Sequence, residues 1–207
     1  MKIKTLCVGP IGTNCYILWD EDAAACAVID PGGDAEAVAA AVDKTGCAPG
    51  AILLTHGHYD HTGAVAALRK RWPEIPVYLN RRDACGDDPY MAQLFPPIPG
   101  AADYDEGDTL TVGGLTVEVL ATPGHSEGSV TLRCGDVLFC GDTLFAGSCG
   151  RTDFPGGSWQ KILRSLARLG RLEGDLAVYP GHMEPSTLDR ERRSNPFLLQ
   201  ALAEDRL

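Results

Sequence analysis

The stretch THGHYDH, residues 55–61, sets His56, His58 and His61 beside Asp60. The whole chain has five histidines in 207 residues, so chance would rarely put even one in such a window. Imidazoles and a carboxylate at this density are metal ligands by type. The spacing adds to that. On a helix, residues two apart diverge, so His56 and His58 would not converge there. In a loop leaving a strand they can point the same way, and the adjacent Asp60 and His61 then point apart from them. One short segment thus offers two ligand pairs to two neighbouring positions, which is a two-metal design.

Two metals need more ligands. The remaining histidines are His125 in TPGHSEGS and His182 in YPGH, each on a Pro-Gly turn after a strand-like run. Asp142 in FCGDTLF also ends a strand-like run, and its two carboxylate oxygens could bridge two cations. The alternative for Asp142 is a turn-forming aspartate. Asp30, Thr55 and Ser126 stand beside ligands or at strand ends. They are candidates for orienting imidazoles, with turn formation as the equal alternative.

The elements that must place these residues follow from patterning. IKTLCVG and NCYILWD form a first hairpin around PIGT, and ACAVID is a third strand. Residues 34–44 have helical spacing, with Asp34 as the N-cap and Gly46 past the end. AILLT is a buried strand leading directly into THGHYDH. A helix over 61–71 and the strand PVYLN come next. Residues 85–102, with four prolines, have no clear period and suit a lid or one wall of a cleft. TLTVGGLTVEVLAT is a hairpin with Gly-Gly at its turn, followed by the strands SVTLRC and VLFCG. Ser158 caps a helix to Leu169, LAVYPG is the last strand, and a helical tail over 188–207 is interrupted by NPF. Two β-rich halves, each delivering polar residues at strand ends, imply an α/β fold in four α/β/β/α layers, with two sheets inside and helices outside. One domain over residues 1–207 is expected.

Composition narrows the partners. The net charge is −10, which disfavours nucleic acid and anionic membranes. No apolar run is long enough to span a bilayer. The eight cysteines are scattered, with no C-x-x-C and no secretory segment, so reduced thiols in a cytoplasmic protein are expected. Small-molecule chemistry by a monomer or small homo-oligomer remains.

The order H-x-H-x-D-H, G-H, G-D, G-H resembles the metallo-β-lactamase-fold hydrolase superfamily. Within it, the chain is most similar to the short glyoxalase II-like (hydroxyacylglutathione hydrolase-like) branch. GPIGTNCYIL, VIDPGGD, THGHYDHTGA, TPGHSEGSV, GDTLFAGSCGRTDFPGGS, YPGH and RRSNPFL carry the resemblance across residues 9–198. It implies that His56, His58 and His125 hold one metal and that Asp60, His61 and His182 hold the second. Asp142 and a water would bridge them. Zinc is the expected ion, with iron or manganese as alternatives, since no cysteine ligand forces the choice. Arg151 matches a basic residue that contacts glutathione carboxylates in glyoxalase II, and Asp153 lies on the same loop. An Arg151–Asp153 salt bridge is the alternative. The chain departs from the family where Asp153 and Phe154 replace a tyrosine contact. It departs again where Met183-Glu184 replaces Gly-Pro, and in having no separate C-terminal helical domain. These departures imply a smaller or more open pocket with weaker selectivity for glutathione.

The chemistry implied is hydrolysis. Two cations about 3.5–4 Å apart make hydroxide available at neutral pH, with Asp60 and Asp142 as the carboxylates that help hold it. A thiolate leaves without a strong general acid, so a small-molecule thioester suits the site. No histidine remains to build a Ser-His-Asp triad. The competing expectation is a mononuclear-iron persulfide dioxygenase-like oxidoreductase using His56, His125 and Asp142. A non-catalytic metal-binding protein is the third.

Overall fold

The computed structural model describes residues 1–22, 24–84 and 89–204. Strand β1 (Lys2–Val8) turns back into β2 (Thr13–Trp19), and β3 (Ala25–Ile29) adds antiparallel to β2. Helix α1 (Ala35–Asp43) crosses over to β4 (Ala48–Leu53), which is parallel to β3 as a crossover helix allows. Helices α2 (Tyr59–Thr62) and α3 (Val65–Arg71) lead to the short parallel strand β5 (Val77–Tyr78), and α4 (Met91–Leu94) follows. The first sheet therefore runs β1-β2-β3-β4-β5.

The second half begins with the hairpin β6 (Thr109–Val112) and β7 (Leu115–Ala121). Strands β8 (Val130–Cys134) and β9 (Val137–Gly141) extend it, and a small ribbon pairs β10 (Leu144–Phe145) with β11 (Ser148–Cys149). After α5 (Trp159–Gly170) come β12 (Ala177–Pro180) and β13 (Ser186–Thr187), then α6 (Leu188–Ser194) and α7 (Pro196–Glu204). This sheet runs β13-β12-β9-β8-β7-β6.

Period-2 side chains explain the layers. In β2, Tyr16 and Leu18 face the second sheet, while Cys15 and Ile17 face α1 and α3. In β9, Val137 and Phe139 face the first sheet, while Leu138 and Cys140 pack under α5 and α7. Three apolar clusters thus separate four layers, α/β/β/α, with both sheets mixed. Fully burying a side chain such as Phe139 contributes about 1.5–3 kcal/mol.

Several expectations need correction. Asp34 sits at the start of α1 but in a left-handed conformation, φ 50°, and makes no capping bond. Its carboxylate instead accepts the Gly9 amide at 2.8 Å, tying the first hairpin to the loop after β3. The helix expected over 61–71 is two pieces, because the Ala64 N–H donates to Pro31 O at 2.9 Å and so leaves the helical ladder. The strand over LAVYPG is not the last, since β13 pairs antiparallel with it. Of the irregular stretch, residues 85–88 lie outside the described residues, as do the last three of the expected tail. None of the seven described cysteines forms a disulfide, and Cys85 lies outside the described set. Among the described residues, no helix is long and apolar enough to cross a membrane.

Candidate metal centre

Four strand ends meet at one place. The chain leaves β4 through residues 54–58, carrying His56 and His58, and the turn α2 carries Asp60 and His61. His125 lies between β7 and β8, Asp142 directly follows β9, and His182 follows β12. The sheets thereby bring together all seven donors expected from the sequence. Three sets lie within coordination reach: His56, His58 and His125; Asp60, His61 and His182; and His56, His61 and Asp142. All seven are buried except His182, whose side chain is 22% exposed.

The distances show convergence. His58 Nδ1 lies 2.8 Å from His125 Nε2. His182 Nε2 lies 3.1 Å from Asp60 Oδ2, and His61 Nε2 lies 3.4 Å from the same oxygen. The His56 and His61 rings, one from each ligand pair, are 4.1 Å apart between centroids, so the two positions adjoin. Asp142 stands between them: Oδ1 is 3.4 Å from His61 Nε2, and Oδ2 is 3.5 Å from His125 Nε2 and 3.6 Å from His182 Nε2.

The donor set passes a direct test for cations. Buried polar atoms almost always find partners, yet His56 Nε2, His58 Nε2, His61 Nε2 and Asp142 Oδ1 have none. His56 Nε2, His61 Nε2 and Asp142 Oδ1, orphaned together, would be costly without a cation, whereas the His58 ring meets His125 through its other nitrogen. Tight backbone approach shapes the same space. A Cβ on Gly181 would stand 2.2 Å from Asp142 Oδ1 and 2.6 Å from His61 Cε1. A side chain there would therefore enter the donor set.

Asp30 fixes two tautomers. Its Oδ1 accepts the Thr55 N–H at 2.7 Å, and its Oδ2 accepts the Thr55 hydroxyl at 2.6 Å. Since that hydroxyl spends its proton on Asp30, the contact of 3.1 Å to His56 Nδ1 must be donated by the ring. His61 Nδ1 donates to Asp30 Oδ2 at 2.9 Å. Both rings therefore present Nε2 to the site, the nitrogen a cation would meet. Asp30 and Thr55 thus do what was expected of them. Ser126 does not touch a ring: its hydroxyl donates to Asp83 Oδ2 at 2.6 Å.

Asp83 gave no sign of itself in NRRDAC. Buried, it accepts the Gly57 N–H at 3.0 Å and the Gly128 N–H at 2.6 Å, so one carboxylate ties the His56–His58 segment to the loop of His125. His125 Nδ1 donates to the Arg151 carbonyl at 2.8 Å. Phe95 and Phe154 flank the His58 ring at 4.5 and 5.8 Å. Arg151 and Asp153 are exposed and bonded to each other at 2.6 and 2.7 Å, with the guanidinium over the Phe154 ring.

Strand β2 holds the other side. Thr13 Oγ1 donates to Asp60 Oδ2 at 3.1 Å. The Asn14 amide donates to Pro180 O at 3.1 Å and Met183 O at 2.8 Å, and Tyr16 Oη donates to Pro180 O at 2.5 Å. Met183 follows His182 in a left-handed conformation, φ 71°. A polar Asn14 inside the apolar run NCYIL was the available signal for this clasp.

Electrostatics divide the donors. Burial and the neighbouring imidazoles hold His56 well below its ordinary range, and burial with His125 pushes His58 down to about 3. Burial also opposes charge on His61, but the Asp30 and Asp142 carboxylates overcome it and raise that ring. His182 is raised against burial by its hydrogen bond to Asp60 and by Asp142. Asp60 is lowered against burial by His182 and His61, and Asp142 is lowered against burial chiefly by His61.

Comparison with known proteins agrees with this geometry. Residues 8–182 match the metallo-beta-lactamase superfamily. The chain is 35% identical to hydroxyacylglutathione hydrolase GloC of Haemophilus influenzae, over 96% of this chain and 98% of that one. The crystal structure of BLEG-1, a B3 metallo-beta-lactamase, superposes with a TM-score of 0.84 at 38% identity, covering 95% of this chain and 99% of that one. TTHA1623, solved in a di-iron-bound form, superposes with a TM-score of 0.80 at 37% identity, covering 94% of this chain and 99% of that one. With its two mixed sheets and its cluster of histidines and aspartates, the chain belongs to the metallo-β-lactamase superfamily.

Proposed function

We propose that the chain is a binuclear metal-dependent hydrolase acting on thioesters of small thiols, of the hydroxyacylglutathione type. The observation that carries this is the convergence of two donor sets on Asp142, with His56 Nε2, His61 Nε2 and Asp142 Oδ1 buried and unpartnered. His56, His58 and His125 would hold one cation, Asp60, His61 and His182 the other, and Asp142 would bridge. Bound there, the pair supplies Lewis acidity and an ionised water at neutral pH. Zinc is the expected ion, and the di-iron form of TTHA1623 supports iron as the alternative.

The chain's own residues set the remainder of the mechanism. Asp30, through Thr55, keeps the His56 and His61 lone pairs aimed inward. The Arg151 carbonyl does the same for His125. All five histidines lie in the cluster, so none is left to protonate a leaving group. An amine leaving group needs that proton, whereas a thiolate does not, since thiols ionise near pH 8.5 in roughly unperturbed form. That argument and the likeness to GloC support a thioester over the β-lactam that BLEG-1's name suggests. The complete Asp60, His61 and His182 set supports two metals over the mononuclear-iron reading.

The test is metal analysis of protein purified without added metal, paired with turnover of S-lactoylglutathione and of a chromogenic cephalosporin. About two equivalents of metal with thioester turnover is expected. One iron with oxygen uptake on a persulfide, or faster turnover of the cephalosporin, would overturn the proposal.

A further inference from the structure

A cleft of about 570 Å³ lies beside the metal centre, and the two share Asp60. Its walls come from four separate parts of the chain, one of them the loop after β3 at Gly32. Pro10 belongs to the first hairpin, Tyr59 and Ala66 to the helices after β4, and Pro96–Pro99 to the irregular stretch. The exposed Tyr59 leaves large apolar surface at its rim. Pocket walls normally orient a ligand with a few convergent polar groups. Here proline supplies much of the wall, and proline has no backbone N–H to donate. The cleft's one cationic residue, Arg69, already donates to the carbonyls of Pro99 and Gly100. Among the described residues, the cleft therefore offers no unengaged cation to a carboxylate, in a chain whose net charge is −10.

We infer that this cleft receives the thiol arm of the substrate, and that this arm is neutral and apolar rather than a charged peptide. The inference rests on the thioester reading above. Hydrolysis forms a C–O bond from water and breaks the C–S bond. The electron pair leaves with sulfur, which then takes a proton. The sulfur departs on the side of Asp60, His61 and His182, and the cleft opens beside Asp60. Arg151, the other cationic candidate, is engaged by Asp153.

The test uses the zinc-loaded full chain and lactoyl esters that share one acyl group: those of benzyl mercaptan, N-acetylcysteamine and glutathione. The benzyl ester is expected to have a kcat/KM about tenfold above the glutathione ester, the discrimination an apolar pocket can supply. Ala66 is exposed on α3 and is not itself a metal donor, so Ala66→Trp fills the cleft from its surface side without disturbing the core. It should cost the benzyl ester about tenfold and leave the glutathione ester within about twofold. Preference for the glutathione ester, or equal loss on both, would overturn the inference. A second measurement stands apart from turnover: benzyl methyl sulfide should shift the Tyr59 ring resonances, and Ala66→Trp should abolish the shift. If no thioester is cleaved but the sulfide binds, the proposed function fails and the apolar cleft stands. If esters are cleaved and the sulfide leaves Tyr59 unmoved, the cleft assignment fails alone.

Discussion

The two candidate cation positions are built from different materials. The first, His56, His58 and His125, is all imidazole, fully enclosed and backed by Phe95 and Phe154. The second, Asp60, His61 and His182, mixes a carboxylate with two imidazoles and is open at His182. Their supports differ too. Asp83 and the Arg151 carbonyl brace the first, while Thr13 and Asn14 from β2 brace the second. Only Asp30 and Asp142 serve both. The contrast teaches that two imidazoles of the first position, His56 and His58, are held towards the neutral form, whereas two of the second, His61 and His182, are biased towards holding protons.

The largest effect should come from removing what the positions share. Asp142→Ala should lower thioester turnover by about a thousandfold, and elemental analysis should show less metal at both positions. Retention of both metals would place the bridge elsewhere. A change confined to one position comes next. Asp83→Asn keeps the shape but can accept fewer of the three donated hydrogen bonds. It should weaken metal affinity at the first position by about tenfold and leave the second unchanged, as competition with a chromogenic chelator would read. Equal weakening at both would mean that Asp83 supports the fold at large.

Protons separate the positions next. In chain stripped of metal by chelation, His61 and His182 are raised and hold protons that a cation must displace. His56 and His58 are lowered and hold none at neutral pH. Affinity at the second position should therefore rise with pH, by about tenfold per unit for each proton displaced, while the first stays flatter through neutrality. Calorimetric titration in buffers of different ionisation enthalpy counts those protons, and identical release for both equivalents would erase the contrast. The smallest effect concerns Met183, which holds φ 71° next to His182. Met183→Gly should relieve the left-handed strain and raise stability by about 0.5 kcal/mol in chemical denaturation, after the added freedom of the unfolded chain is deducted.

The donors themselves were legible in the sequence because histidine is scarce and each one follows a strand. The layers were legible because the chain reads as two β-rich halves with helices, each delivering polar residues at its strand ends. What braces the donors was much less so. Asp83 is one of many acidic residues, and its partners Gly57 and Gly128 lie 26 and 45 positions away. The break between α2 and α3 depends on Pro31, a carbonyl from another loop competing for the Ala64 amide. Asp34 has the residue type and place of a helix cap, and only the approach of Gly9 diverts it. Local rules fail at these points because the competitor comes from far along the chain.

The clasp from β2 has a consequence in time. Asn14 and Tyr16 bond to Pro180 and Met183 across 164 to 169 positions of sequence. Contacts of that span close late in folding, after the entropy of a long loop has been overcome. During synthesis, the first donors emerge long before His182 can meet them. A nascent chain can therefore assemble at most part of the donor set until its two ends join, and the finished centre is a sign that both sheets have docked.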